Sequence, residues 1–398
     1  MRILFVSHYG LPHVGGVEIV VDAISRELRA RGHEVEQVTS RVGTVERDPP
    51  ASAGPSRGAT VHRVPAWNVI ERRTGLPYPL FGPGLVRVLR SRLACADVLH
   101  AHGFLFQPSV VALWLASRRA ARMGAPARVL TEHGGRGDYP SRALRALESI
   151  AIATAGQISL RSAQVVIALN ERIAAEMTEL SPATRVLDLP NGVDTCRYRQ
   201  ASESERAELR ARLGWDERPR VLFVGRFVPR KGAGLAVEAV RSLGDGARLV
   251  MVGPGAPPDL PSSVEVLGQL PPGRVSELYR AADCLVLPSV AEGFPLTVQQ
   301  ALASGLPVLV SDDPVYESYL GDAPEGVARV PRTVEAIAAA LARLDCGRSL
   351  DAGSRSALAK FAESRYSTSA WVDRHEALYR ELIQAARESR SLDRLDLA

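Results

Sequence analysis

The stretch Arg2–Ser40 reads RILFVSHYGLPHVGGVEIVVDAISRELRARGHEVEQVTS, and its pattern decides the fold. The unbroken apolar run ILFVS (3–7) is a buried strand. It ends in the glycine-rich HVGGVE, from which a helix pattern runs to Arg31. Gly32 stops that helix, and EVEQVTS begins the next strand. Strand, glycine loop, helix and strand in succession build a parallel sheet covered on both faces.

Outward from this unit the same alternation continues. TVHRVPA, DVLHAH, ARVLTEH, AQVVIAL and RVLDLP are strand candidates, with helix-length segments between several of them. LPNGVDTCRY (189–198) is turn-rich around Asn-Gly. Then the pattern restarts. RVLFVGR is a strand, KGAGLAVEAVRSL a helix and ARLVMVGPG a strand. SVEVLGQL, a helix from about Ser276, DCLVLPSV, a helix from about Leu296 and LPVLVSD follow. The expectation is an α/β protein of two doubly wound parallel-sheet domains, residues 1–195 and 196–368, followed by a helical tail, 369–398. Such domains bind ligands beyond the carboxyl ends of their strands, and a cleft between two of them is the natural site.

A length of 398 residues fits two domains, and 46% hydrophobic residues suffice for ordinary cores. Cys95, Cys196, Cys284 and Cys346 lie far apart and form no C-x-x-C, so neither zinc nor a disulfide framework is indicated. That usage fits a reducing cytoplasm. The N-terminal apolar run is too short for a signal peptide, and no run approaches the ~20 apolar residues that span a bilayer. Of the net charge of +5, residues 1–195 hold +6 (23 Arg, 17 acids) and the remainder −1 (26 basic, 27 acidic). A basic first half suits something anionic, such as a membrane surface or a phosphorylated acceptor; the plainer explanation is drift in an arginine-rich composition. Only Lys231 and Lys360 are lysines, so a lysine here can mark a need for a compact charge.

Four groups of residues sit at predicted strand ends. Gly15 and Gly16 open the first helix, where backbone can approach a ligand and the helix N-terminus favours an anion; alone, a tight loop explains them equally well. The spacing is not G-x-G-x-x-G. In GRFVPRKG (225–232), Arg226 and Lys231 bracket a short loop, and two cations suit a diphosphate. A P-loop does not fit there. In EGFPLTVQQALASG (292–305), Glu292 precedes a helix starting at Leu296, whose first amides form an anion site around Phe294, Pro295 and Leu296. A carboxylate beside a phosphate site suits sugar hydroxyls, and Gln300 lies one turn further on. His100, His102 and His133 end two strands; their spacing favours satisfied or acceptor-binding histidines over a metal site.

The ordered set SHYGLPHVGGVE, HAH, TEHGG, LPNGVD, GRFVPRKG, LVMVGPG, VEVLGQL, EGFPLTVQQALASG and GLPVLVSD resembles the family 4 retaining glycosyltransferases of GT-B fold, over nearly the whole chain. The resemblance implies two Rossmann-like domains facing a central cleft, the first binding the acceptor and the second the nucleotide sugar. Gly15 and Gly16 match the loop facing the donor diphosphate. His133 matches the histidine near the transferred sugar, with His102 on the acceptor side. Arg226 and Lys231 match the diphosphate-binding pair. Glu292 matches the first acid of an E-x7-E motif that holds sugar hydroxyls. Phe294, Pro295 and Leu296 match the backbone loop at the donor, and Gly268 to Leu270 the segment near the nucleobase. The last helix of the family often returns to the first domain.

The second acid of E-x7-E is replaced by Gln300, which keeps an acceptor oxygen for ribose but loses the charge. The loop SDDPVYESY also departs from the glycine-rich form of the family. The function implied is metal-independent transfer, with retention, from a nucleoside-diphosphate sugar to a sugar, lipid-linked or small-molecule acceptor, in glycan or glycolipid synthesis. No cofactor beyond the donor substrate and no nucleic acid is implied. The implied location is the cytoplasm, including the inner face of the membrane. The competing expectation, motivated by Gln300, is a catalytically weak nucleotide-sugar binder that partners another transferase.

Overall fold

The computed structural model describes residues 1–13, 15–41, 59–74, 78–120, 125–135, 141–255, 259–290, 294–343 and 350–395. The chain forms two compact units, Met1–Pro190 with Trp371–Ala398, and Asn191–Ala370. They part at the Asn-Gly turn, five residues before the position expected from sequence, and the tail joins the first unit.

Unit 1 contains β1 (Arg2–Val6), β2 (Glu34–Ser40), β3 (Thr60–Val64), a short hairpin of β4 (Ala66–Trp67) and β5 (Leu80–Phe81), then β6 (Val98–His102), β7 (Ala127–Glu132), β8 (Val165–Ala168) and β9 (Arg185–Asp188). Its parallel sheet has the order β3-β2-β1-β6-β7-β8-β9. Strand order therefore reverses between β1 and β6, the switch point at which such sheets open a crevice. Every residue of β6 is buried, as expected for a central parallel strand covered on both faces. The helix Gly16–Ala30 follows β1 and ends where Gly32 takes φ +84°. The hairpin was not legible as strand, because two residues carry no periodicity.

Unit 2 contains β10 (Arg220–Val224), β11 (Arg248–Val252), β12 (Val264–Gly268), β13 (Cys284–Leu287), β14 (Val308–Ser311) and β15 (Val327–Val330), in the order β12-β11-β10-β13-β14-β15. All neighbours are parallel, and the switch point lies between β10 and β13. The helix expected from Ser276 begins four residues earlier, at Pro272. Proline suits a first helical position because its missing N–H would be unpaired there anyway.

The C-terminal helix Thr368–Leu395 buries Trp371, Val372 and Tyr379. Within unit 1, Arg31 donates to Asp373 (2.5 Å) and Glu376 (3.1 Å), and the Tyr379 hydroxyl meets His100 Nδ1 at 2.6 Å. Apolar burial and a buried hydrogen bond fix the helix; exposed ion pairs of the Asp373 kind contribute little. Among the described residues, no helix is long and apolar enough to cross a membrane.

Candidate active site

In unit 2 the carboxyl ends of three adjacent strands are laced together by glycine backbone. The Gly225 amide donates to Val252 O and the Gly253 amide to Gly268 O, each at 2.9 Å. Gly253 has φ +145°, and a Cβ there would stand 1.9 Å from the carbonyl oxygen of Gly225. Only glycine permits this approach. It fixes the start of the loop that carries Arg226, which is exposed, and Lys231, which is half-buried with its Cδ and Cε flanking Gly225.

The far end of that loop is as tightly held. Pro229–Lys231 forms one 3₁₀ turn, and Gly232, at φ +73°, starts the helix Ala233–Ser242. A Cβ on Gly232 would lie 2.6 Å from Pro288 O, so the loop after β10 rests directly on the loop after β13. Val290 N donates to Arg230 O at 3.0 Å. Arg332 bridges the two loops, from Nε to Pro288 O at 2.9 Å and from Nη2 to Pro229 O. The cation-bearing loop and the segment leading to Glu292 are thus one assembly, although Glu292 lies outside the described residues.

Beyond it, the helix Leu296–Ala303 begins at Pro295. The Phe294 ring is buried and stacked on Tyr319 at 4.7 Å, leaving this segment to meet a ligand through backbone. The first-turn amides of a helix have no intrahelical acceptor, which makes its N-terminus an anion site. Gln300 is half-buried, and its Oε1 accepts from the Tyr279 hydroxyl at 3.2 Å. Gly268 ends β12, and the half-buried Leu270 two residues later packs on the core.

In unit 1, His133 follows β7. Glu132 is buried and turns to the opposite side, where it accepts from Phe104 N (3.0 Å), Gly134 N (3.0 Å) and Gly135 N (3.2 Å). This clamp shapes the turn. Burial raises the Glu132 carboxyl, with the three amides opposing. His133 Nε2 lies 2.9 Å from His102 Nδ1, and burial lowers the His133 imidazole to about 4. His102, expected on the acceptor side, is only 2% exposed and lies against His133. His100 spends both ring nitrogens, on Tyr379 and on Thr131 Oγ1 at 2.6 Å each. Neither histidine of β6 is placed to share a metal, and no metal-holding group of three or more His, Cys, Asp or Glu occurs among the described residues.

Gly15 precedes the first helix with extended backbone, and Gly16 is open to its surroundings. A Cβ on Gly15 would lie 2.4 Å from Glu18 Oε2, because the carboxylate of Glu18 folds back over the helix start. Burial works to raise Glu18, yet the His13 contact at 3.4 Å and its own amide hold it below its ordinary value. His13 is correspondingly raised by Glu18. The helix N-terminus therefore already carries an anion. Sequence reading missed Glu18; its signal was an acid at the third helical position after a cap, which reaches back to first-turn amides. It also missed His8, buried and stacked on Phe106 at 3.7 Å, and Tyr9, whose hydroxyl donates to Glu71 and to Asn68 Oδ1 (2.9 Å). Burial lowers His8 to about 4.

Residues 14–197 match the family described as Glycosyltransferase Family 4, and residues 205–351 the family described as Glycosyl transferases group 1. Over 319 residues the chain is 31% identical to the GDP-mannose-dependent alpha-mannosyltransferase of Mycolicibacterium smegmatis, covering 78% of this chain and 80% of that one. Over 334 residues it is 30% identical to a D-inositol 3-phosphate glycosyltransferase of Xylanimonas cellulosilytica, covering 76% of each. Among solved structures, the sucrose-phosphate synthase of Thermosynechococcus elongatus aligns with 96% of this chain and 99% of its own at a TM-score of 0.76 and 21% identity, a likeness of fold.

Proposed function

The chain belongs to the family 4 glycosyltransferases, and from that premise we propose that it moves a sugar from a nucleoside-diphosphate sugar to an acceptor hydroxyl, with retention and without a metal. The observation that supports the reading is the locked assembly of Gly225–Gly232 with the loop after β13, which ties the loop bearing Arg226 and Lys231 to the segment leading to Glu292. A mannosyltransferase named for its dependence on GDP-mannose is among the relatives, which supports a nucleotide-sugar donor.

The chemistry follows from charge. The bond between the anomeric carbon and the diphosphate oxygen breaks, and negative charge grows on the leaving group. Arg226, Lys231 and the first amides of the helix Leu296–Ala303 stabilise that charge in place, where preorganised cations and dipoles act most strongly. The acceptor oxygen bonds to the anomeric carbon from the face the diphosphate leaves, and its proton passes to a phosphate oxygen. Glu292 holds the sugar hydroxyls, Gln300 the ribose, and Gly268 and Leu270 flank the base. Gly15 and Gly16 serve the donor diphosphate, and His133 the transferred sugar.

The test is a panel of nucleoside-diphosphate sugars and acceptors with the purified chain in excess chelator, the product's anomeric configuration being read by NMR. Transfer with retention supports the proposal. Loss of transfer that magnesium or manganese restores overturns the metal-free step, and inversion overturns the retaining one. If the chain binds donor and never transfers while Gln300→Glu does, the partner-protein reading, which Gln300 motivates, replaces it.

An acceptor at an anionic membrane is favoured by one surface. The helix Arg142–Ala151 buries no residue, leaves Leu147 and Ile150 61% and 62% exposed, and carries the exposed Arg142 and Arg145. An apolar stripe flanked by arginines suits the headgroup layer of anionic lipid. Cosedimentation with phosphatidylglycerol vesicles, weaker with phosphatidylcholine and lost in the Leu147→Ser, Ile150→Ser double variant, is the expected result. Absence of binding to either vesicle overturns it.

A further inference from the structure

The His102–His133 contact has a direction, and the surroundings of His102 decide it. At 2.9 Å one of His102 Nδ1 and His133 Nε2 carries the proton and the other accepts. The other ring nitrogen of His102, Nε2, is buried with no hydrogen-bond partner. If His102 carried its proton on Nε2, a buried N–H would be orphaned. If it carries the proton on Nδ1, only a lone pair is left unmet. Orphaned buried N–H groups are rare and costly, and an unmet acceptor is more readily tolerated.

A doubly protonated His102 is not an alternative. The groups facing it are His100 on its own strand, His133 after β7, His375 on the C-terminal helix and His8 after β1, with no carboxylate among them, and burial holds its imidazole well below the ordinary range. His133 itself feels His8, which lowers it further, and Glu18, which opposes.

We propose that His102 is a positioning residue: its Nδ1–H donates to His133 Nε2, fixes the proton of His133 on Nδ1, and so presents His133 to the substrate as a hydrogen-bond donor rather than a base. The role toward substrate rests on the glycosyltransferase reading; the tautomer does not.

The support behind His102 is extensive. Its ring stacks on His100 at 4.5 Å and lies 5.8 Å from Phe5 of β1. Its carbonyl accepts from Ser109 Oγ at 2.9 Å. His100 is in turn held by Thr131 Oγ1 and by the Tyr379 hydroxyl of the C-terminal helix, at 2.6 Å each. The C-terminal helix thus braces, through His100, the ring that orients His133. Side chains locked by packing and by outer hydrogen bonds hold reacting groups more accurately than free ones.

Long-range ¹H–¹⁵N spectra of the labelled full-length chain report which imidazole nitrogen is protonated. Wild type is expected to show His133 as the Nδ1–H form. His102→Leu, which removes the donor, should shift His133 toward the Nε2–H form. His102→Asn, whose amide N–H stands where Nδ1–H does, should restore Nδ1–H. In transfer assays His102→Leu should lower kcat roughly ten- to a hundredfold, the scale on which a displacement of ~1 Å acts, with donor KM little changed and substantial recovery in His102→Asn. An Nε2–H tautomer of His133 in wild type overturns the inference without any variant. An unchanged tautomer in a folded His102→Leu also overturns it. A changed tautomer with wild-type kcat overturns the positioning role. If no donor is ever used, the glycosyltransferase reading fails while the spectra still decide the tautomer.

Discussion

All eight histidines, His8, His13, His33, His62, His100, His102, His133 and His375, fall in unit 1, and unit 2 has none. Mild acid should therefore loosen one unit and spare the other. Burial lowers His8, His133 and His375 from 6.5 to about 4, and holds His100 and His102 well below their ordinary value as well. The sign is set by comparing states. Between those values the unfolded chain binds protons that the folded one refuses, so stability is full above pH 6.5 and falls as the pH drops toward 4. By pH 5 each of the three has lost about 2 kcal/mol, from 1.5 pH units at about 1.4 kcal/mol per unit, or about 6 kcal/mol together. Domain stabilities are about 5–15 kcal/mol, so unit 1 should be close to unfolding. His13 opposes: its raised value adds stability below 6.5 and loses it as the pH rises. In unit 2, Glu205 and Asp216 are held below their ordinary values by Arg199 and Arg218, so their contribution is lost only below about pH 4.5. Urea unfolding followed by hydrogen-exchange mass spectrometry reads both units in one sample, through peptides of β6 and β10. From pH 7.5 to 5 the β6 midpoint should fall steeply and the β10 midpoint hold. Parallel loss in both, or a flat response in β6, would refute the argument.

Four further outcomes are expected. Lys231→Ala should weaken nucleoside diphosphate about ten- to a hundredfold in calorimetry, the ~1.5–3 kcal/mol of a charged hydrogen bond, with the melting curve intact; unchanged affinity would remove Lys231 from the site. Gly253→Ala should force apart the ends of β10 and β11, costing at least the ~1–3 kcal/mol of a strained backbone in a thermal melt and impairing nucleotide binding; wild-type behaviour would contradict the 1.9 Å approach. Tyr279→Phe preserves the ring and deletes the hydroxyl, so unit 2 should lose about 1 kcal/mol and bind nucleotide more weakly as Gln300 loses its orientation; equal binding would show the ribose is read elsewhere. Glu292→Ala should cut turnover on the order of 100-fold while free nucleoside diphosphate binds as before, whereas loss of both in the calorimeter would place this acid on the nucleotide instead.

The alternation of apolar runs and helix patterns made both parallel sheets legible, because a central parallel strand must be apolar on both faces. The strand-end rule then pointed to Arg226, Lys231, His133 and Gln300. What could not be read were contacts across the sheet. Nothing in HAH says that His100 turns to Tyr379, 279 residues away, while His102 turns to His133. Alternation puts both on one face of β6, and their burial, together with the different partners each ring meets, is a property of the fold that the sequence does not carry. Glu18 was hidden for another reason. An acid in the first helical turn is ordinary in sequence, and only its burial against His13 makes it distinctive.

The glutamine at position 300 acquires a meaning from its neighbour. Tyr279 is almost fully buried, and burial keeps its phenol protonated, so the hydroxyl must donate to something. Among the described residues Gln300 Oε1 is the acceptor it meets. That assigns the amide: its oxygen takes the Tyr279 proton, and its –NH₂ is a donor that a carboxylate would lack. A carboxylate in the same place would give one oxygen to Tyr279 and offer a second, charged acceptor. Glutamine in place of glutamate therefore puts an amide donor where a carboxylate has a second acceptor oxygen, and removes a charge. Ribose hydroxyls both donate and accept, so the ribose contact proposed for Gln300 is compatible with either group. Under the proposed function, the departure from the E-x7-E pattern changes how the ribose is held, and loss of activity does not follow from it.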